Sequence, residues 1–392
     1  MALRRFDNQK NFSKIKHLPW PLAFKPATPD LMKTAKAISK MQASLLAWYD
    51  SAGRTLPWRI RPEDRTAGVT PNPYAVWLSE IMLQQTTVPH ATPYWEKFLG
   101  EFPTVTDLAN AERDRILTLW AGLGYYARGR NLHKCAQIIR DEYDGQFPQS
   151  EAALLKLPGI GPYTAATIAA ICFDEATNIV DGNVERVISR IFCVKTPLPK
   201  GKSELRRLAG TLASPNRPGD YGQALMDLGA TICTPRSPKC GTCPWESFCQ
   251  ARKDGVQTEY PKKIKKAKLP TRYGAVYVLT HKEKVLLRQR PDKGLLGGMM
   301  EFPGSHWGGT PPPPLDGAPN ERNWEKCKTR VRHVFTHFEL YLDVYRAESS
   351  SPHIDGVWAV LENITDYALP TVMKKALKIA QKPPEQTSPE QT

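Results

Sequence analysis

A chain of 392 residues, 41% hydrophobic and 24% charged, suits two domains of ordinary size and excludes a single small module. Its longest apolar run, Tyr163 to Phe173, falls short of the roughly 20 residues that a membrane span needs, so no segment is expected to cross a bilayer. The net charge of +15 favours a polyanionic partner but is unevenly spread: residues 1–40 carry +7 and 251–272 carry +6, while 41–250 and 273–392 carry +1 each.

Residues 1–40 mix lysines with Pro21, Pro26 and Pro29 and lack sustained periodicity, which predicts an extended basic arm that either meets nucleic acid or is merely solvated. Lys10, Lys14 and Lys16 are not followed by an apolar core and a small-residue cleavage site, so secretion is not expected. From Met41 to Gln250 the pattern turns helical. Spacings near 3.6 and helix-start signals predict helices over 41–52, 73–86, 91–100, 112–121, 128–143, 151–156, 162–172, 183–193, 202–214 and 221–231.

Within the second of these, Glu80 stands among Trp77, Leu78, Ile81, Met82 and Leu83, and helical spacing puts Trp77, Glu80 and Gln84 on one face. A carboxyl group buried there is costly to ionise and could hold a proton near neutral pH, as a general acid must. A glutamate at a helix edge that reaches water fits the same letters.

Leu157-Pro158-Gly159-Ile160-Gly161-Pro162-Tyr163-Thr164 sets two glycines one residue apart between helical patterns. Gly159 and Gly161 permit a tight turn and close approach, and the next helix presents free N–H groups, a combination that can hold a DNA phosphate without reading sequence. An ordinary helix–helix turn fits too. Asp181, in Val180-Asp181-Gly182-Asn183-Val184, precedes an apolar-periodic run, where capping is the default role.

Cys233, Cys240, Cys243 and Cys249 follow a C-x6-C-x2-C-x5-C spacing that gathers four thiolates just after the helical region. Eight cysteines are too few for a disulfide scaffold, and this crowding predicts a metalloprotein of a reducing compartment, with a cytoplasmic location, at the nucleoid in a bacterium. Four sulfurs suit Zn²⁺ or a [4Fe-4S] cluster; the single short gap between two longer ones favours iron–sulfur over the paired spacing of a zinc ribbon. Cys135, Cys172, Cys193 and Cys327 read as core residues.

Residues 251–272, charged and proline-bounded, read as a linker. Beyond it, Tyr273–Leu279, Lys284–Gln289, Val331–Val334 and Phe338–Tyr345 cluster β-branched and aromatic residues between turn signals, predicting a smaller α+β domain over 273–380. Gly308 to Pro314 reads as a disordered or polyproline insert, and 381–392 as a polar tail.

In this order and spacing, Trp77 to Thr86, Gly122-Leu123-Gly124-Tyr125-Tyr126-Ala127-Arg128, the Leu157–Thr164 hairpin, Asp181 to Val184 and the four-cysteine loop resemble the MutY-type adenine DNA glycosylases of the helix-hairpin-helix superfamily. The resemblance spans roughly 41–365. It implies a mainly α helix-hairpin-helix catalytic domain with a [4Fe-4S] loop, plus a smaller α+β Nudix-like domain that recognises 8-oxoguanine. The implied work is removal of adenine mispaired with 8-oxoguanine or guanine in double-stranded DNA, by base flipping and hydrolysis of the N-glycosidic bond.

By this resemblance Glu80 protonates N7 of adenine, Asp181 stays ionised and stabilises the oxocarbenium-like sugar, and Asn183 orients the pair. Tyr163 stands where bifunctional relatives resembling endonuclease III carry the lysine that forms a Schiff base, so a monofunctional enzyme is implied. Gln84, Gln85 and Tyr125 match residues that probe or wedge the DNA, with core packing expected of Tyr126. Leu295 to Pro303 and Phe335-Thr336-His337-Phe338 resemble the Nudix-like part, with Thr336 where the family commonly has serine and His337 open to either ligand contact or core packing. The region just after Gly304 offers the proline insert, Glu321 and Glu325 in place of several glutamates on one helix, so Nudix hydrolysis is not expected. The chain is expected to act as a monomer. Two rivals remain: an endonuclease III-like glycosylase/lyase, and a non-catalytic four-cysteine zinc DNA-binding protein.

Overall fold

Helix formation starts where a side chain first satisfies free backbone N–H groups. In this computed structural model, which describes residues 34–264, 267–319 and 323–382, the Thr34 hydroxyl accepts from the Ala37 N–H at 3.2 Å and opens helix α1 (Ala35–Ala52). That start lies six residues inside the arm expected over 1–40; the remainder of the arm, residues 1–33, falls outside the described residues. So do Lys265, Lys266, Glu321 and the tail from 383.

The helices continue as α2 (Pro62–Thr66), α3 (Pro73–Met82), α4 (Val88–Glu101), α5 (Val105–Asn110), α6 (Arg113–Trp120), α7 (Ala127–Tyr143), α8 (Glu151–Leu154), α9 (Pro162–Phe173), α10 (Gly182–Ile191), α11 (Lys202–Leu212), α12 (Pro218–Asp227) and α13 (Gln250–Lys253). Short α2 and α5 were not legible as periodic patterns. α3 ends four residues before the expected Thr86, because the Arg128 guanidinium takes the last-turn carbonyls of Ile81 (2.6 Å) and Met82 (3.2 Å). The chain then turns through Leu83–Thr87, with Gln85 at a left-handed φ of 60°.

These helices enclose two cores. One gathers α3 to α9 around Trp77, Phe98 and Trp120; the other gathers α1 and α9 to α12 around Met41, Leu45, Ile188 and Trp245. α9 contributes to both, since its inner face is small and apolar throughout, with Ala165, Ile168 and Ala169 on one side and Ala166 and Ala170 on the other. Of the cysteines read as core, Cys135 is buried, whereas Cys172, Cys193 and Cys327 are only partly so.

The second domain is a mixed sheet with one helix. Strands β1 (Thr271–His281), β2 (Lys284–Gln289), β3 (Met300–Glu301), β4 (Glu325–Lys326), β5 (Val331–Val334), β6 (Glu339–Glu348) and β7 (Val357–Val360) run in the order β3-β2-β1-β6-β4, with β5 on β6 and β7 on β2. β1 and β6 are parallel from the Thr271–Glu339 pair to the Thr280–Glu348 pair. Val276 and Val278 share a core with Leu340, Leu342, Val344 and helix α14 (Thr371–Ala380). β1 begins two residues inside the expected linker, since Thr271 and Arg272 already pair with β6. Gly308, first residue of the proline insert, is held on β1 by two hydrogen bonds with Tyr273, at 2.8 and 3.0 Å.

Candidate active site and cysteine loop

Where the two helical cores meet, a cavity of about 570 Å³ opens. Its walls come from distant parts of the chain: Arg54, Trp58 and Arg59 before α3, Glu80, Gln84 and Gln85 on and after α3, Tyr163 on α9, Asp181 and Asn183 at the start of α10, and Met226 on α12.

Glu80 is 7% exposed, within a helix whose residues from Val76 to Met82 are all buried. Burial pushes its carboxyl up to about 7, against the opposing pull of the Tyr163 hydroxyl and Arg59, and with a further push from Asp181. The exposed helix-edge reading is thereby excluded. The Tyr163 hydroxyl has one proton and two acceptors near it, Met226 Sδ at 3.2 Å and the Glu80 carboxyl. A carboxylate is the stronger acceptor, so that proton turns to Glu80 once Glu80 ionises.

Asp181 both caps and faces the cavity. One carboxylate oxygen accepts from the Val184 N–H at 2.7 Å, and the other from Asn183 Nδ2 at 2.8 Å. Burial raises its pKa, while those two donors and the Arg186 charge oppose the rise. Two carboxyl groups of unequal surroundings therefore share one cavity, the arrangement that separates an acid from an anion.

Sequence patterns missed what lies beneath them. Asp227, fully buried, is held by the Arg54 N–H (2.8 Å), Arg54 Nε (2.6 Å) and Arg59 Nη1 (2.8 Å). A usable signal existed, because Asp227 is a lone acid in the apolar run Ala224-Leu225-Met226-Asp227-Leu228, as Glu80 is in its own helix. Arg186 was also missed. It donates to Asn183 Oδ1 (2.9 Å), the Gly229 carbonyl (2.6 Å) and the Cys233 carbonyl (2.8 Å), tying the Asp181–Asn183 pair to the start of the cysteine loop.

Cys233, Cys240, Cys243 and Cys249 line one small cavity together with Arg190, Trp245 and Arg252. Four thiols around one cavity are a donor set that suits a [4Fe-4S] cluster. Arg190 supports that fit. It is 1% exposed and donates to Cys233 Sγ (3.2 Å) and to the carbonyls of Thr234 (2.8 Å) and Pro235 (3.0 Å). A buried guanidinium so placed calls for negative charge, and a thiolate-ligated cluster supplies it. As free thiols Cys243 and Cys249 resist ionisation, with burial pushing Cys243 up to about 12 and Cys249 to about 11, so metal binding must displace their protons.

The expected DNA-facing residues are placed as follows. Gln84 lines the large cavity and a second one of about 160 Å³ beside Gly159, whereas Gln85 is exposed at the rim. Gly159 (φ 80°) leaves no room for a side chain, since a Cβ would lie 2.8 Å from Asn131 Cβ. Gly161 is the N-cap of α9. Tyr125, 45% exposed at φ 49°, bonds through its hydroxyl to Thr336 Oγ1 of the second domain at 2.7 Å, while Tyr126 is buried. His337 is exposed, which excludes its core reading.

Residues 78–214 match the family model of the HhH-GPD superfamily base excision DNA repair protein, 233–249 the iron-sulfur binding domain of endonuclease III, and 274–378 the NUDIX domain. Fold and site thus define a helix-hairpin-helix base-excision enzyme with an iron–sulfur loop and a Nudix-like second domain. A solved thermostable thymine-DNA glycosylase is 29% identical at a TM-score of 0.50, covering 56% of this chain and 98% of its own. The adenine DNA glycosylase of Homo sapiens is 33% identical over 90% of this chain and 76% of its own length; that of Buchnera aphidicola subsp. Schizaphis graminum is 34% identical over 86% and 97%. The chain belongs to the adenine DNA glycosylase family. It is accordingly a hydrolase of the N-glycosidic bond that acts on DNA and carries an iron–sulfur cluster.

Gly229, in the turn after α12, abuts Asn183 so closely that a Cβ would lie 2.6 Å from Asn183 Cβ and 3.0 Å from its carbonyl oxygen. Gly229→Ala should therefore displace the start of α10 and slow adenine release roughly tenfold or more, with DNA affinity changed less than about threefold. Single-turnover cleavage and equilibrium binding on the same mismatched duplex measure the two; unchanged turnover would show that Asn183 tolerates displacement.

Proposed function

We propose that Glu80 is the general acid that protonates N7 of an extruded adenine and that Asp181 is the anion that stabilises the oxocarbenium-like sugar, with Asn183 and Arg186 holding Asp181 in place. The observation that carries this reading is a single cavity with Glu80, its pKa raised to about 7, on one wall and the multiply bonded Asp181 on another. The cavity exceeds the volume of a nucleobase, leaving room for the sugar and for the water that completes hydrolysis. The iron–sulfur cluster would be held by Cys233, Cys240, Cys243 and Cys249 and shapes their loop; the chemistry of base release belongs to the carboxyl groups.

Tyr163 cannot form an imine, and no lysine is among the described residues that line the cavity, which supports monofunctional base release. The substrate we propose is adenine opposite 8-oxoguanine or guanine. Tyr125 and Gln85 are exposed for contact with the opened duplex, Gly159 and Gly161 lie at the hairpin that can hold its phosphate, and Thr336 and His337 of the second domain sit beside Tyr125 for the opposite purine. We further propose a helical catalytic unit over 41–250 extended by the remainder of α1, a linker over 251–270, a reader over 271–380, a monomer, and a cytoplasmic location. No described helix is long and apolar enough to cross a membrane.

Glu80→Gln should bind mismatched DNA normally and lose adenine release by several orders of magnitude. In the unsubstituted enzyme the acid form of Glu80 is present below about pH 7, so single-turnover rates should fall as pH rises through that value. Near-normal turnover by the variant would remove Glu80 from the mechanism.

Stability should move the other way. Because the folded-state pKa lies above the unfolded one, Glu80 lowers stability as pH rises from about 4.5 to about 7. Glu80→Gln should therefore be more stable by on the order of 2 kcal/mol at pH 8 and show no gain at pH 4. Urea titration at both values measures this, and equal stability at pH 8 would mean that the carboxyl is solvated.

Duplexes with adenine opposite 8-oxoguanine, guanine and thymine, incubated with and without alkali, test specificity and monofunctionality together. Base release should be fastest opposite 8-oxoguanine, with strand scission appearing only after alkali; scission without alkali would favour a lyase.

A further inference from the structure

Met299 belongs by sequence to the second domain, yet it is fully buried in the catalytic domain's core, the cluster that contains Leu117 and Trp120. Leu296 packs against both that cluster and the core of its own sheet. The turn that presents them, Leu295-Leu296-Gly297-Gly298-Met299, is built for protrusion. Leu296 and Gly298 adopt left-handed φ values of 57° and 74°, and a Cβ on Gly297 would lie 2.3 Å from the Asp292 carbonyl oxygen. A Cβ on Gly298 would lie 3.5 Å from Leu117 Cδ1, so the turn sits flush against α6.

Polar contacts surround this apolar centre. Arg130 on α7 donates to the Gly297 carbonyl at 2.5 Å, Arg113 on α6 donates to both Asp292 oxygens at 2.9 Å, and Thr118 donates to the Asp366 carbonyl at 3.2 Å. The Arg113–Asp292 pair is exposed and contributes little by itself, so burial of Met299 and Leu296 carries the contact. α6 and the start of α7 are also the two flanks of the Gly122–Tyr126 loop, whose Tyr125 touches Thr336.

We propose that the Leu295–Met299 turn is a docking plug that fixes the second domain on α6 and α7 before DNA arrives, and that Leu296 and Met299 are positioning residues for discrimination of the opposite base. The plug sets the distance between Tyr125 on one domain and Thr336 and His337 on the other, so the gap offered to the opposite purine is preset rather than assembled on a loose tether. Pre-set geometry converts a small difference in the purine's edge into a difference in rate, since no ordering of the two domains remains to be done on binding. This inference rests on the reading of the second domain as the reader of the opposite base.

The test uses the full-length holoenzyme. Met299→Asp should raise hydrogen exchange across residues 113–130 without DNA. It should also lower the ratio of adenine release opposite 8-oxoguanine to that opposite guanine by about tenfold. The rate opposite guanine should stay within about threefold, and Met299→Leu should behave as the unsubstituted enzyme. Leu296→Asp, at a partly exposed position, decides the matter if Met299→Asp does not fold. Unaltered exchange in the folded variant overturns the plug. Raised exchange with an unaltered ratio overturns the positioning role, provided that Thr336→Ala with His337→Ala lowers the ratio; if that pair also leaves it unaltered, the reader assignment itself has failed.

Discussion

A carboxyl group kept from water holds its proton to higher pH, and the surroundings of Glu80 impose that constraint. Moving its pKa from 4.5 to about 7 corresponds to about 3 kcal/mol of disfavoured charge. Burial is the leading cause, supplied by an α3 with no exposed face between Val76 and Met82. That in turn requires other elements packed around α3, which is why Glu80 lies at the junction of two cores. Arg59 would undo the effect if its charge were free, but Asp227 engages its guanidinium and leaves only a residual pull on Glu80.

Burial raises the pKa of the second carboxylate too, but donors oppose that rise. Asp181 lies at a helix start, where backbone N–H groups and the helix dipole favour negative charge. Its Asn183 partner leads through Arg186 to the Cys233 carbonyl, and Arg190 reaches the Cys233 sulfur one turn along α10. One helix thus carries Asp181 at its start and grips the cysteine loop along its length. The loop is therefore part of the scaffold that orients Asp181, and its Pro235 lines the same cavity.

Much of the site could be read before folding because a charged residue in an apolar setting violates the local pattern. Glu80 stood out for that reason, and the glycines of the hairpin and the four cysteines stood out because few other roles suit such spacings. Helix ends were less legible: α3 stops where Arg128, 46 to 47 positions along the chain, takes its carbonyls. Asp227 showed the same signal as Glu80 but lacked a motif around it. Arg54, Arg59 and Arg186 showed none, since an arginine looks alike whether it faces water or a buried carboxylate.

The order of residues alone determined the helical and α+β domains, the four-sulfur loop and the anomaly of a glutamate at position 80 inside an apolar helix, because periodicity, turn chemistry and ligand spacing are local properties. Only the tertiary structure decided which guanidinium meets which carboxylate, that Thr336 meets Tyr125, and that Met299 lies in the other domain's core. Those contacts join positions more than a hundred residues apart, and no local pattern encodes the packing that brings such positions together.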